Sequence, residues 1–173
     1  MTRIAAAIEW LARALAIAGG LALVAVICLT VASITGRAFV RQGLGPVPGD
    51  FELVEALTAF AVFAFLPWCQ LRRGHASVDV FTRLLPERAN RVIDLVAELL
   101  LMLAVTLIAW RLWHGMVDKL RYQETTFILQ FPLWWAFAAA FAAAAAGVAV
   151  SAYAVFARAR EIIAAPAEAG EGR

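Results

Sequence analysis

The chain has 173 residues, 64% of them hydrophobic and 16% charged, with a formal net charge of +2 and a mean hydropathy of +0.81. Soluble domains lie nearer about 45–50% apolar and about 25% charged, so the composition excludes a soluble enzyme, a disordered chain and a secreted disulfide scaffold. The small charge does not suggest the concentrated basic patch that nucleic acid calls for, and the expected class is an all-α integral membrane protein with one domain over residues 1–160.

A bilayer-spanning helix needs roughly 20 mostly apolar residues at about 1.5 Å of rise each. Ala14 to Gly36 is uncharged for 23 residues between Arg13 and Arg37, which predicts span one over 14–36. A signal peptide's apolar stretch is shorter, about 7–15 residues. A loop with Gly43, Gly45, Pro46, Pro48 and Gly49 follows. Asp50 is the expected N-cap of span two, over 52–71, whose first turns carry Glu52 and Glu55.

Span three has only 12 uncharged residues, Leu99 to Trp110. Its helix is expected to start at Pro86, a favoured first helical residue, to cross the membrane over about 92–113 with Asp94 and Glu98 near its inner end, and to stop near Trp113. The last uncharged run, Thr125 to Ala157, is 33 residues long, and Pro132 divides it, leaving span four over 133–157. Residues 161–173, rich in Ala, Gly and Glu, read as a disordered tail.

Four spans put both termini on one side. With the termini inside, ten Lys and Arg residues are cytoplasmic and five are outside: Arg37, Arg41, Arg111, Lys119 and Arg121. The positive-inside bias therefore predicts cytoplasmic termini. The tryptophans agree, with Trp10 and Trp68 at inner ends and Trp110, Trp113, Trp134 and Trp135 at outer ends, where indole prefers the headgroup zone.

Ionisable residues within spans raise a functional hypothesis. Glu55 and Glu98 are the candidates for proton coupling, but neither lies at the midplane, and the structural reading is preferred. In it Arg37 or Arg111 would pair with Glu55, and Arg72, Arg73 or Arg13 with Glu98. His75 and His114 fall in loops on opposite sides, and Cys28 and Cys69 read as small packed thiols. In residues 78–85, Val78, Phe81 and Leu85 share an apolar arc with Val80 and Leu84, while Asp79 and Arg83 face away. That pattern suits a short helix lying in the membrane plane or a loop packed on the bundle. Ala139, Ala143, Gly147 and Ser151 form a row at four-residue spacing, which serves close helix packing within the bundle or contact with a partner.

Gly74-His75-Ala76-Ser77-Val78-Asp79 resembles the GHxxVD motif of the small membrane subunits of tripartite ATP-independent periplasmic (TRAP) transporters. Glu124-Thr125-Thr126, then Pro132-Leu133-Trp134-Trp135, is similar to the same family, as is Gly49-Asp50-Phe51-Glu52 at the start of span two. The resemblance covers essentially the whole chain in order. It implies a small permease subunit in a bacterial inner membrane, working with a large multi-span subunit that carries the substrate. A periplasmic binding protein would deliver the substrate, commonly an organic acid. A cation gradient, usually sodium, would drive uptake. Na+ would bind the large partner, and this chain would carry no cofactor and no catalytic or metal site.

On that reading Val78, Phe81, Leu85, Trp10, Trp68, Trp110 and Trp113 anchor the chain in lipid, and Arg37, Arg41, Lys119 and Arg121 are outer contacts for the delivery protein. The competing readings are a free-standing proton-coupled transporter using Glu55 or Glu98, a membrane enzyme or redox subunit, and an assembly factor.

Overall fold

Small residues decide how this chain packs. The computed structural model describes residues 3–72 and 87–164, which form four long helices: α1 Arg3–Ala38, α2 Asp50–Leu71, α3 Glu87–Arg121 and α4 Trp134–Ala164. All four contain segments long and apolar enough to cross a membrane. Among the described residues the one extended pairing is an isolated antiparallel bridge between Thr125 and Pro132.

The helices overrun the apolar spans. α1 has 36 residues and α3 has 35, so each is over 50 Å long at about 1.5 Å per residue, against a hydrocarbon core near 30 Å. α3 does not stop near Trp113 but continues to Arg121. Gly115, which might have ended it, is needed for packing instead, because a Cβ there would lie 2.8 Å from the Phe137 ring. Lys119 and Arg121 in its last turn suit the negative end of the helix dipole. His114 is therefore helical rather than in a loop, with its ring edge-on to Trp110 at 4.9 Å. α4 runs to Ala164, four residues into the expected tail.

The helices form a row in the order α1, α2, α4, α3. α2 packs against α1 on one side and α4 on the other, α4 also packs against α3, and α1 touches α4 only slightly. The seams are lined with small side chains. A Cβ on Gly19 of α1 would sit 3.1 Å from Ala64 Cβ of α2, beside buried Ala12, Ala22 and Ala61. Further along the row, a Cβ on Gly147 of α4 would lie 3.4 Å from Val105 of α3 and 3.9 Å from Pro67 of α2. Three helices converge at that one glycine.

Bulk points outward. Ile17, Leu21, Val24, Ile27, Val31 and Ile34 on α1 are exposed, and so are Val96, Leu100, Leu103 and Leu107 on α3. The largest fully buried side chains are only Val150, Pro67, Ser33 and Ser151. Lipid tails are as apolar as leucine, so burying large side chains between helices gains little in a membrane. Close backbone approach gains dispersion contacts instead. Cys28 lies on the exposed face of α1 rather than packed inside. Pro67 sits within α2 and gives up one backbone hydrogen bond there. Its ring fills the space that the bare Gly147 leaves.

Gly147→Leu is therefore expected to lower the thermal unfolding midpoint of the detergent-purified chain, the usual cost of overpacking being about 1–3 kcal/mol. Gly20 has open space around it, so Gly20→Leu is expected to leave the midpoint unchanged. Thermal unfolding followed by circular dichroism compares the two.

Candidate functional site

At the end of the row that carries the α1–α2 and α3–α4 connections, two carboxylates fasten the chain to itself. Ser33 and Arg37 are four residues apart and so share a face at the end of α1. Both reach Asp50, the first residue of α2. The Ser33 hydroxyl donates to Asp50 Oδ2, and Arg37 Nη2 donates to the same oxygen at 2.9 Å. Asp50 Oδ1 accepts the Phe51 N–H at 2.9 Å. The guanidinium of Arg37 also lies over the Phe51 ring, 5.5 Å from its centroid. Asp50 is thus not the N-cap of α2. Gly49 holds that position with φ of 75°, which frees the Asp50 carboxylate for α1.

The second carboxylate, Glu52, is two residues further into the same turn. It accepts the backbone N–H groups of Ile128 and Leu129 at 2.6 and 2.9 Å, holding the α3–α4 connection onto α2. That connection is a small hairpin. Thr126 N–H donates to Phe131 O at 3.0 Å and Leu133 N–H to Glu124 O at 2.9 Å, and Phe131 N–H donates to Thr126 Oγ1 at 3.2 Å. Gln123 and Gln130 take positive φ at its two bends. Lys119 and Glu124 pair at 2.6 Å across its base. Leu129 packs directly against the bare Cα of Gly49, while Phe127 at the tip is 96% exposed. Glu124, Thr125, Thr126 and Pro132, quoted above as a motif, are the paired sides of this hairpin.

These ion pairs differ from the expected ones. Arg37 is engaged by Asp50, not Glu55. Glu55 is exposed and makes no hydrogen bond or ion pair with a described residue. Arg72 is engaged by Glu9 at 3.4 Å and lies over Trp68 at 4.7 Å, so it is not the partner of Glu98. Of the four cations expected as outer contacts, Arg37 and Lys119 are held within the chain, and Arg41 and Arg121 are exposed at the same end.

The small-residue row is divided. Ala143 and Ser151 are fully buried and Gly147 is buried with them, whereas Ala139 is exposed. Of the two uses open to this row, Ala143, Gly147 and Ser151 serve internal packing, because α4 turns that face toward α2 and α3. Ser151 adds a polar rung between helices, its hydroxyl 2.5 Å from Gln70 Oε1 and 2.8 Å from Gly147 O. This buried pair, like the Ser33–Asp50 pair, was missed in the sequence, where a lone Ser or Gln in an apolar run gives no sign of its partner. Gly74, His75, Val78, Asp79, Phe81 and Leu85 lie outside the described residues.

Trp10 and Trp68 sit toward the termini end. Trp110, Trp113, Trp134 and Trp135 sit toward the connection end, where Trp113 packs on Phe141 at 5.3 Å. Among the described residues no group of three His, Cys, Asp or Glu is placed to hold a metal. A cleft of about 160 Å³ opens beside the hairpin, between Glu55, Ala59 and Phe63 of α2, Leu112 of α3, and Phe137 and Ala140 of α4.

The model of the DctQ component of tripartite ATP-independent periplasmic transporters matches residues 26–161. The chain belongs to that family. No curated protein and no solved structure matches it. The matched stretch runs from the last third of α1 through nearly all of α4, so both fastenings described above lie within it. As a DctQ component, the chain is a TRAP transporter's small membrane subunit, a transport component from a family that is not one of enzymes.

Replacing Glu52 with Ala is expected to release the hairpin. Amide exchange at Ile128 and Leu129 should rise by roughly tenfold or more, the size that loss of charge-assisted hydrogen bonds implies. Exchange at the Gly19 seam should not change. Site-resolved hydrogen exchange reads both.

Proposed function

We propose that this DctQ component braces a large multi-span TRAP subunit in the bacterial inner membrane. The large subunit carries an organic acid, delivered by a periplasmic binding protein and taken up along a cation gradient, and Na+ binds there. The observation that carries this reading is the open row of helices. α1 and α3 each give one narrow face to a neighbour in the chain and leave a continuous apolar face outward. Such a row offers a long, stiff, lipid-compatible wall against which a moving carrier can work. The fastenings at Asp50 and Glu52 keep its connection end rigid.

The ten-to-five distribution of cations supports cytoplasmic termini and a periplasmic connection end. On that orientation the exposed Arg41 and Arg121, with the outer sides of Arg37 and Lys119, face the delivery protein.

Uptake by proteoliposomes tests this. The two membrane subunits together with the binding protein are expected to take up substrate under an inward sodium gradient. Either membrane subunit alone is expected to stay at background, and the two should co-purify in detergent. Uptake by this chain alone, lost in Glu55→Gln or Glu98→Gln, would instead establish a free-standing proton-coupled transporter.

A further inference from the structure

The cleft beside the hairpin has a use that bracing does not need. Its deeper wall is wholly apolar, with Ala59 and Phe63 of α2, Leu112 of α3, and Phe137 and Ala140 of α4. Its mouth carries Glu52 and Glu55. Its volume of about 160 Å³ is close to that of a ~150 Å³ engineered apolar cavity that stays dry and takes up a benzene-sized ligand. From Glu55 to Phe63 is eight residues of helix, about 12 Å along the membrane normal if α2 is untilted. The cleft is thus a slot running from the interface into the hydrocarbon, the direction in which an acyl chain lies. Alanine at 59 and 140 keeps it open, where leucine would close it.

The two carboxylates at the mouth are not equivalent. Glu52 spends its oxygens on the N–H groups of Ile128 and Leu129. Glu55, one turn deeper, is exposed and has no described partner. Arg37, which might have served it, is bound to Asp50. A carboxylate left at the edge of a membrane span calls for a cation. The lining of the cleft contains no Trp or Tyr with which to cage a quaternary ammonium. A primary ammonium, which donates charge-assisted hydrogen bonds to a carboxylate, suits the mouth better.

We propose that this cleft is a lipid site selective for a primary-amine headgroup. The ammonium of a phosphatidylethanolamine pairs with Glu55, and the first several methylenes of one of its acyl chains fill the slot lined by Ala59, Phe63, Phe137 and Ala140. The bound lipid fills the gap that α2 and α3 leave over α4.

Native mass spectrometry of the full-length chain tests this, with phosphatidylethanolamine, phosphatidylcholine and phosphatidylglycerol of identical acyl chains as probes. The expected result is one tightly retained phosphatidylethanolamine per chain, preferred roughly tenfold over the other two, as one charge-assisted contact implies. Glu55→Gln should bring its retention down to that of phosphatidylcholine. Ala140→Leu, which leaves the carboxylate in place, should reduce retention of all three. Equal retention of the three lipids by the unaltered chain, or undiminished phosphatidylethanolamine on Glu55→Gln, would overturn the proposal. None of these readings depends on uptake, so they are independent of whether the chain braces a carrier.

Discussion

The architecture depends on helix backbones approaching one another through side chains of almost no size. At Gly147 the helix that carries it meets Val105 on one side and Pro67 on the other, and three of the four helices are tied at that point. Gly19 against Ala61 and Ala64 does the same for the first pair. In water, the large aliphatic residues of α1 and α3 would collapse inward and these contacts would be incidental. In lipid they are the main attraction between helices, since leucine gains nothing by leaving one hydrocarbon for another.

An inside-out distribution follows, and it bears on function. A bundle whose helices each bury several faces can enclose a path across the membrane. This row does not bury its outer helices beyond one face. It presents apolar wall, which is what the proposed bracing of a larger subunit would need. The polar fastenings are gathered at one end, where α1 meets α2 through Ser33, Arg37 and Asp50 and the hairpin meets α2 through Glu52. Each of these acceptors is satisfied by more than one donor, as a buried or half-buried carboxylate requires. The wall is thereby held at fixed geometry where its connections emerge.

The exposed Glu55 contrasts with these neighbours on its own helix. Asp50, Glu52 and Glu55 lie within two turns, and the first two are fully engaged within the chain while the third is not. Three carboxylates in one short stretch are thus divided between folding and binding by where the neighbouring elements place their donors. The adjoining cleft makes the third the one available to a ligand.

Much was legible in the sequence because it depends on local properties. Uncharged runs of 12 to 33 residues, with Pro132 dividing the longest, locate the spans, since a charge in hydrocarbon is costly wherever it sits. The motifs at Gly49–Glu52, Gly74–Asp79 and Glu124–Trp135 together pointed to the family whose model matches the chain. What only the tertiary structure decided are pairings between distant residues. Nothing local distinguishes Glu52 from Glu55, yet the backbone N–H groups that one of them receives are 76 and 77 residues away. Nor does the spacing of Ala139, Ala143, Gly147 and Ser151 say which way that row faces, because the rotation of a helix about its axis is set by its neighbours. Nor does the last apolar residue of a span say where its helix ends: α3 runs on past Trp113 to Arg121 and α4 past Ala157 to Ala164, since a helix continues past the hydrocarbon wherever its backbone stays satisfied and contacts persist, as where the bare Gly115 lets Phe137 approach.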